Sequence, residues 1–153
     1  MCSIYIALYS PSSVQKLLDF IKTIYIASNL TPVVIKPFGA AAQIGVPEAH
    51  RLSYKMNKPL IILPEIKDLK QILGCSVVYY ISEEGVEIDL TKIFEEATSS
   101  KIAIVVNSGE QEPSRKELED TVPAWFKSIP RGFPPVSLTG VIVYEYYKST
   151  RSN

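Results

Sequence analysis

Cysteine and histidine are scarce. Cys2, Cys75 and His50 are all the chain has of either. That leaves too few donors for a typical zinc site, and no Ser-His-Asp set can be argued from one histidine. An excess of charge of one sign is missing too: Lys plus Arg is 16 and Asp plus Glu is 16. This balance excludes a strongly basic nucleic-acid coat and leaves room only for a local basic face. No apolar run approaches the ~20 residues of a membrane span. The start, MCSIYIALYS, lacks the basic stretch of a signal peptide and is too short for one. The expected compartment is therefore the reducing cytoplasm, with Cys2 and Cys75 as buried free thiols. No G-x-G-x-x-G follows the first apolar run, and no Walker loop is present.

What is there is a globular chain. The 153 residues are 46% hydrophobic and 21% charged. That predicts one domain over residues 1–153, long enough to bury a sizeable core. Strand and helix patterns alternate. Continuous apolar runs at 2–9, 31–37, 58–64, 76–82 and 101–109 predict buried strands. Helical spacing predicts helices over 10–28, 46–57, 65–74 and 89–100, the second with Pro47 near its first turn and the last with Asp89 as cap. Residues 38–45 (FGAAAQIG) predict a loop of small residues, and EEGVEI predicts a turn or hairpin. Residues 112–126 predict a helix broken at Pro123, 126–130 a short strand, and 136–150 a terminal helix despite its β-branched content. The fold class is α/β: a mostly parallel sheet with helices on both faces. Ligands in such sheets sit beyond the carboxyl ends of the strands. The loops of interest are therefore 10–15, 37–46, 82–87, 107–113 and 130–137.

Two clusters invite chemical readings. EGVEIDLTK carries Glu84, Glu87, Asp89 and Lys92. Acids near a lysine could clamp a divalent cation, as a two-metal nuclease requires. The spacing is poor for that, and Asp89 fits a helix cap better. The expectation is that no metal is bound. YEYYK places Tyr144, Tyr147 and Lys148 close together. Such a group stacks on RNA or fills a dimer interface, and the interface is the preferred reading.

Three stretches of the second half carry a resemblance: IAIVVNSGE, FKSIPRG and VSLTGVIVYEYY. In order and type they resemble the C-terminal motifs of the SPOUT class of RNA methyltransferases, SpoU branch. SPSSVQKLLDFIKTIYIA resembles that class's first motif helix. SSVQKLLDF, FGAAAQIGVPEAHRLS and LIILP look like a family of small archaeal proteins described both as SpoU-like methylases and as RecB-family nucleases.

The resemblance implies a deep trefoil knot in the C-terminal half, a homodimer, and S-adenosylmethionine held in the knot. The substrate it implies is tRNA or rRNA. The cofactor loops would then be Ser82; Asn107, Ser108 and Gly109; and Ile129, Pro130, Phe133, Ser137 and Leu138. Apolar walls suit an adenine, stiff prolines fix the loop, and Gly109 allows close backbone approach. The class's catalytic arginine falls nearest to Lys16, which lacks the bidentate guanidinium. The motif asparagine is Thr139, and Glu110 is displaced from its expected place. These departures leave three functional expectations: an RNA methyltransferase, a binding protein of the same fold without catalysis, and a metal-dependent nuclease.

Overall fold

The computed structural model describes residues 3–27 and 29–151. Cys2 and Ser28, the latter at the end of the expected first helix, lie outside the described residues. Six strands form one sheet: β1 (Ser3–Tyr9), β2 (Leu30–Ile35), β3 (Ile61–Leu63), β4 (Val77–Ile88), β5 (Lys101–Asn107) and β6 (Val122–Phe126). Their order is β3-β2-β1-β5-β4-β6, and every pairing is parallel. The chain steps outward from β1 to β3, then crosses to the other half. β1 and β5 therefore meet at the point where the strand order reverses, the place where parallel α/β sheets open a crevice.

Strand alternation divides the core in two. Ile4, Ile6 and Leu8 of β1 join Ile102, Ile104 and Val106 of β5 on one face. Four helices cover that face: α1 (Val14–Ile24), α2 (Val46–Met56), α4 (Leu90–Glu96) and α5 (Leu138–Arg151). Leu17, Ile21, Ile93, Leu138 and Ile142 are fully buried there. Ala7, Tyr9, Ala103 and Val105 face the other way, onto Ile66, Leu69 and Cys75. The one helix on that side is α3 (Asp68–Gln71), a single turn inside the longer expected helix. Burial raises the Cys75 thiol to about 11, as suits an inert core residue. No helix of the described residues is long and apolar enough to cross a membrane.

Several local expectations are corrected. Residues 41–45 are not loop but a π-helical turn (Ala41–Gly45) running straight into α2. The small residues allow the approach of α1: a Cβ on Gly45 would sit 2.8 Å from Leu17 Cδ2. EEGVEI is not a hairpin. β4 continues through it, with an irregularity in which Ile81 and Val86 both pair with Ala124. The expected helix over 112–126 gives only turns over 115–120, then β6. Pro123 breaks helix but fits β6, which pairs with β4 alone at the edge of the sheet. The short strand therefore lies at 122–126, four residues before its expected place at 126–130. The terminal helix forms as expected, entered through a 3-10 turn at Pro135–Ser137. Its β-branched residues bury against the sheet, and that packing outweighs their propensity.

Candidate functional site

The crevice between β1 and β5 is closed by serines that follow β1. Ser10 is fully buried and has a left-handed backbone, φ +50°, although a proline follows it. Its N–H donates to Ile35 O at 2.7 Å and its hydroxyl donates to Gln111 Oε1 at 2.6 Å. The Ser108 hydroxyl donates to Ser10 O at 2.8 Å. Asn107, also buried, accepts from Gly109 N–H at 2.6 Å and donates to the Tyr80 hydroxyl at 3.0 Å. Asn107 and Ser108 thus spend their polar atoms in holding the loop. Gly109 is left at φ +88°, with nothing within 4 Å of where a Cβ would stand. That is a backbone turn only glycine adopts freely, facing open space.

Lys16 crosses from α1 to this loop. Its ammonium donates to Ser108 O at 2.8 Å and lies 3.8 Å from Glu110. The Glu110 carboxylate also accepts from the Ser12 hydroxyl and from Ser12 N–H. The Ser12 hydroxyl is the main reason that its carboxyl lies below the usual range, with the Ser12 amide and Lys16 adding to the effect. A second tie sits beneath: the Tyr9 hydroxyl donates to Glu117 at 2.6 Å, and Lys36 lies 3.5 Å from that carboxylate. Burial alone would raise Glu117. Hydrogen bonds from the Ser114 amide and Tyr9, with the Lys36 charge, bring it below its ordinary value.

Beside Lys16, the first turns of α1 and α5 border a groove of about 640 Å³. Ser13, Lys16, Phe20, Val136, Ser137 and Thr139 line it. Ser13 caps α1, accepting from Lys16 N–H at 3.1 Å. Thr139 is 3% exposed, and its hydroxyl has no hydrogen-bond partner among the described residues. An unsatisfied buried hydroxyl is costly in a closed core and cheap where a ligand supplies the missing partner.

The structure thus gathers Lys16, Ser108, Ser137 and Thr139 around one groove and its rim. The remaining expected residues lie elsewhere or play other parts. Leu138 is fully buried in the helix-side core, so its side chain is core rather than open wall. Ile129 is half-buried, and its carbonyl accepts from Trp125 Nε1 at 2.9 Å. Pro130 and Phe133 are exposed on the loop after β6, which turns at Gly132 with φ +110°. Ser82 is half-buried in the β4 irregularity and accepts from Glu84 N–H at 3.3 Å. Among the described residues, no group of three or more His, Cys, Asp or Glu side chains could hold a metal ion. Asp89 is an exposed cap of α4, accepting from Thr91 N–H at 3.0 Å. Sequence reading passed over Ser10 and Gly85. The serine run directly after β1 was the available signal for the first. A glycine among charged residues was the signal for the second.

Solved structures that superpose on the chain include methyltransferases of RNA. A structure described as giving insight into 2-OH methylation of C/U34 on tRNA superposes with TM-score 0.69 at 16% identity, covering 99% of each chain. The SpoU methyltransferase AviRb of Streptomyces viridochromogenes gives 0.67 at 11%, covering 98% of this chain and 60% of that one. An AdoMet-bound rRNA methyltransferase of Sinorhizobium meliloti gives 0.65 at 14%, covering 96% and 56%. At such identities the likeness establishes the fold, that of the SpoU-type methyltransferases. At the level of sequence, a candidate type II restriction enzyme of Aeropyrum pernix is 30% identical over 137 residues, 90% of this chain and 88% of that protein. With residues 39–145 matching its profile, the chain belongs to the family described as RecB-family nuclease (DUF2122).

Proposed function

We propose that the chain is an S-adenosylmethionine-dependent RNA methyltransferase on the SpoU fold. One observation carries the reading. Lys16 and Thr139, far apart in sequence, stand where the class's first and last motifs carry an arginine and an asparagine, and they line a single groove. The buried Thr139 hydroxyl there has no partner among the described residues. These features fit a cofactor and a target nucleotide meeting at the ends of α1 and α5.

The cofactor would supply a methyl group on a sulfonium, ready for transfer to a hydroxyl or ring nitrogen. The chain's own residues would do the rest. The open backbone at Gly109, Ser82 and the loop carrying Ile129, Pro130 and Phe133 would hold the adenosine. Ser137 and the buried Thr139 hydroxyl would offer polar contacts. Lys16, fixed by Ser108 O, would place positive charge where a target hydroxyl loses its proton. The homodimer and the trefoil knot of the class belong to the same reading. Tyr144 and Tyr147 remain exposed on α5, where a partner would cover them.

The family description favours a metal-dependent nuclease instead. The donor set does not fit it well, since Asp89 is engaged as a helix cap. Asp89→Ala decides the point: abolished Mg²⁺- or Mn²⁺-dependent cleavage would establish the nuclease, and unchanged behaviour would remove it. A binding protein without catalysis is favoured by the lysine and threonine at the motif positions.

Calorimetric titration with S-adenosylmethionine and S-adenosylhomocysteine tests the main reading. Micromolar binding is expected, lost in Ser137→Trp, followed by methyl transfer to tRNA or rRNA. Binding without transfer supports the non-catalytic alternative. No binding at millimolar cofactor overturns the proposal.

A further inference from the structure

At the far end of α2, away from the groove, the sequence places a large ring in water. Tyr54 is 90% exposed, and its side chain bonds to none of the described residues. It stands beside a surface cleft of about 530 Å³ lined also by His50, Ser53, Asn57, Lys58 and Pro59. Asn57 ends α2 in a left-handed turn, φ +54°, that uses its backbone N–H. Its side-chain amide, like the Tyr54 hydroxyl, bonds to none of the described residues. The Ser53 hydroxyl donates to Lys58 O, and the Lys58 ammonium donates to Tyr25 O at 3.0 Å. The floor of the cleft is therefore fixed, while the ring and the amide are free.

Charge completes the pattern. Lys58 lines the cleft, Lys55 follows Tyr54 on α2, and Arg51, one turn before it, is paired with Glu48, the one acid of α2. In a chain with no net charge, that is a local basic patch. An exposed flat ring with neighbouring cations and a free amide is the combination that holds single strands: stacking for the base, cations for the phosphates, an amide for a base edge. We infer that the cleft beside Tyr54 seats an unpaired nucleobase, stacked on the ring, with the flanking phosphates on Lys55 and Lys58. The inference rests on the reading that the protein handles nucleic acid, and not on methyl transfer.

Fluorescence anisotropy of a labelled 15-nucleotide single-stranded RNA, titrated with the full chain, tests it. The same titration with DNA of matching sequence shows whether the sugar matters. Tyr54→Ala is expected to weaken binding about tenfold, the scale of one stacked base. Tyr54→Phe keeps the ring and stays within about twofold of wild type. Lys55→Gln lowers the slope of log affinity against log salt by about 0.7, one phosphate contact on a single strand. Equal affinity of Tyr54→Ala and wild type overturns the inference, and so does a wild type that binds neither strand. Calorimetry separates the two proposals. Cofactor binding without a Tyr54 effect leaves the methyltransferase reading standing alone. A Tyr54 effect without cofactor binding leaves the stacking site standing alone.

Discussion

The loops after β5 and β6 both lie at the carboxyl side of the sheet, yet they are built in opposite ways. The first, Asn107–Glu110, is tied to Ser10, Ser12, Lys16 and Tyr80 by side-chain hydrogen bonds. The second, 127–134, turns through Ser128 and Gly132 at positive φ and leaves Phe133 41% exposed. The Trp125 indole N–H reaches into it and donates to Ile129 O. A site assembled from both has a rigid half and an adaptable half. The rigid half sets geometry without reorganisation on binding, and the adaptable half lets a ligand enter.

The largest effect should come from breaking the support of the adaptable half. A Cβ on Gly85 would stand 2.2 Å from Ala124 N, backbone against backbone. Gly85→Val should therefore force β6 off β4 and cost about 3 kcal/mol or more, read as a fall in Tm by differential scanning calorimetry. An unchanged Tm would mean that the close approach is not needed.

A middle effect belongs to the rigid half. Asn107→Ala strips partners from the Gly109 amide and the Tyr80 hydroxyl. It should cost about 1–3 kcal/mol in urea unfolding. Phe133→Ala, on the exposed loop, should stay within about 0.5 kcal/mol in the same assay. If the two variants unfold alike, the contrast between the loops is wrong.

The smallest effect is electrostatic. The Glu110 carboxyl lies below its ordinary value of 4.5 in the folded state. A depressed carboxyl contributes stability that is present above the unfolded value and lost as pH falls through the folded one. Glu110→Gln should lower Tm slightly at neutral pH and flatten its loss below about pH 4.5, so that variant and wild type converge in acid. An acid limb that superposes on wild type would show that the Ser12–Glu110–Lys16 contact contributes nothing.

Much of the fold was legible because its strands are continuous apolar runs: CSIYIALY and KIAIVVNSG each contain the strand found, and TPVVIKP covers β2 except for Leu30. Asp89 announced the start of α4 and accepts its capping bond, whereas α1 starts at Val14, capped by Ser13, four residues after the start expected from Ser10 and Pro11. β6 was not legible. KELED favours helix locally, while VPAWF becomes strand only because β4 offers an edge, and that is long-range information. The site divides in the same way. Asn107–Gly109 stood out as a loop after a strand. The Lys16–Ser108 contact depends on β1 lying next to β5, which no local pattern encodes. Leu138 read as a ligand wall because residue type alone does not tell the inside of a helix from the rim of a pocket.

The chain has one tryptophan, and its placement makes the protein self-reporting. Trp125 is buried at the end of β6, with its indole N–H held by the carbonyl of Ile129. Rearrangement of the adaptable loop has to alter that bond or the ring's polarity. The indole emission of an unlabelled sample thus reads the state of that loop, with no second tryptophan to obscure it.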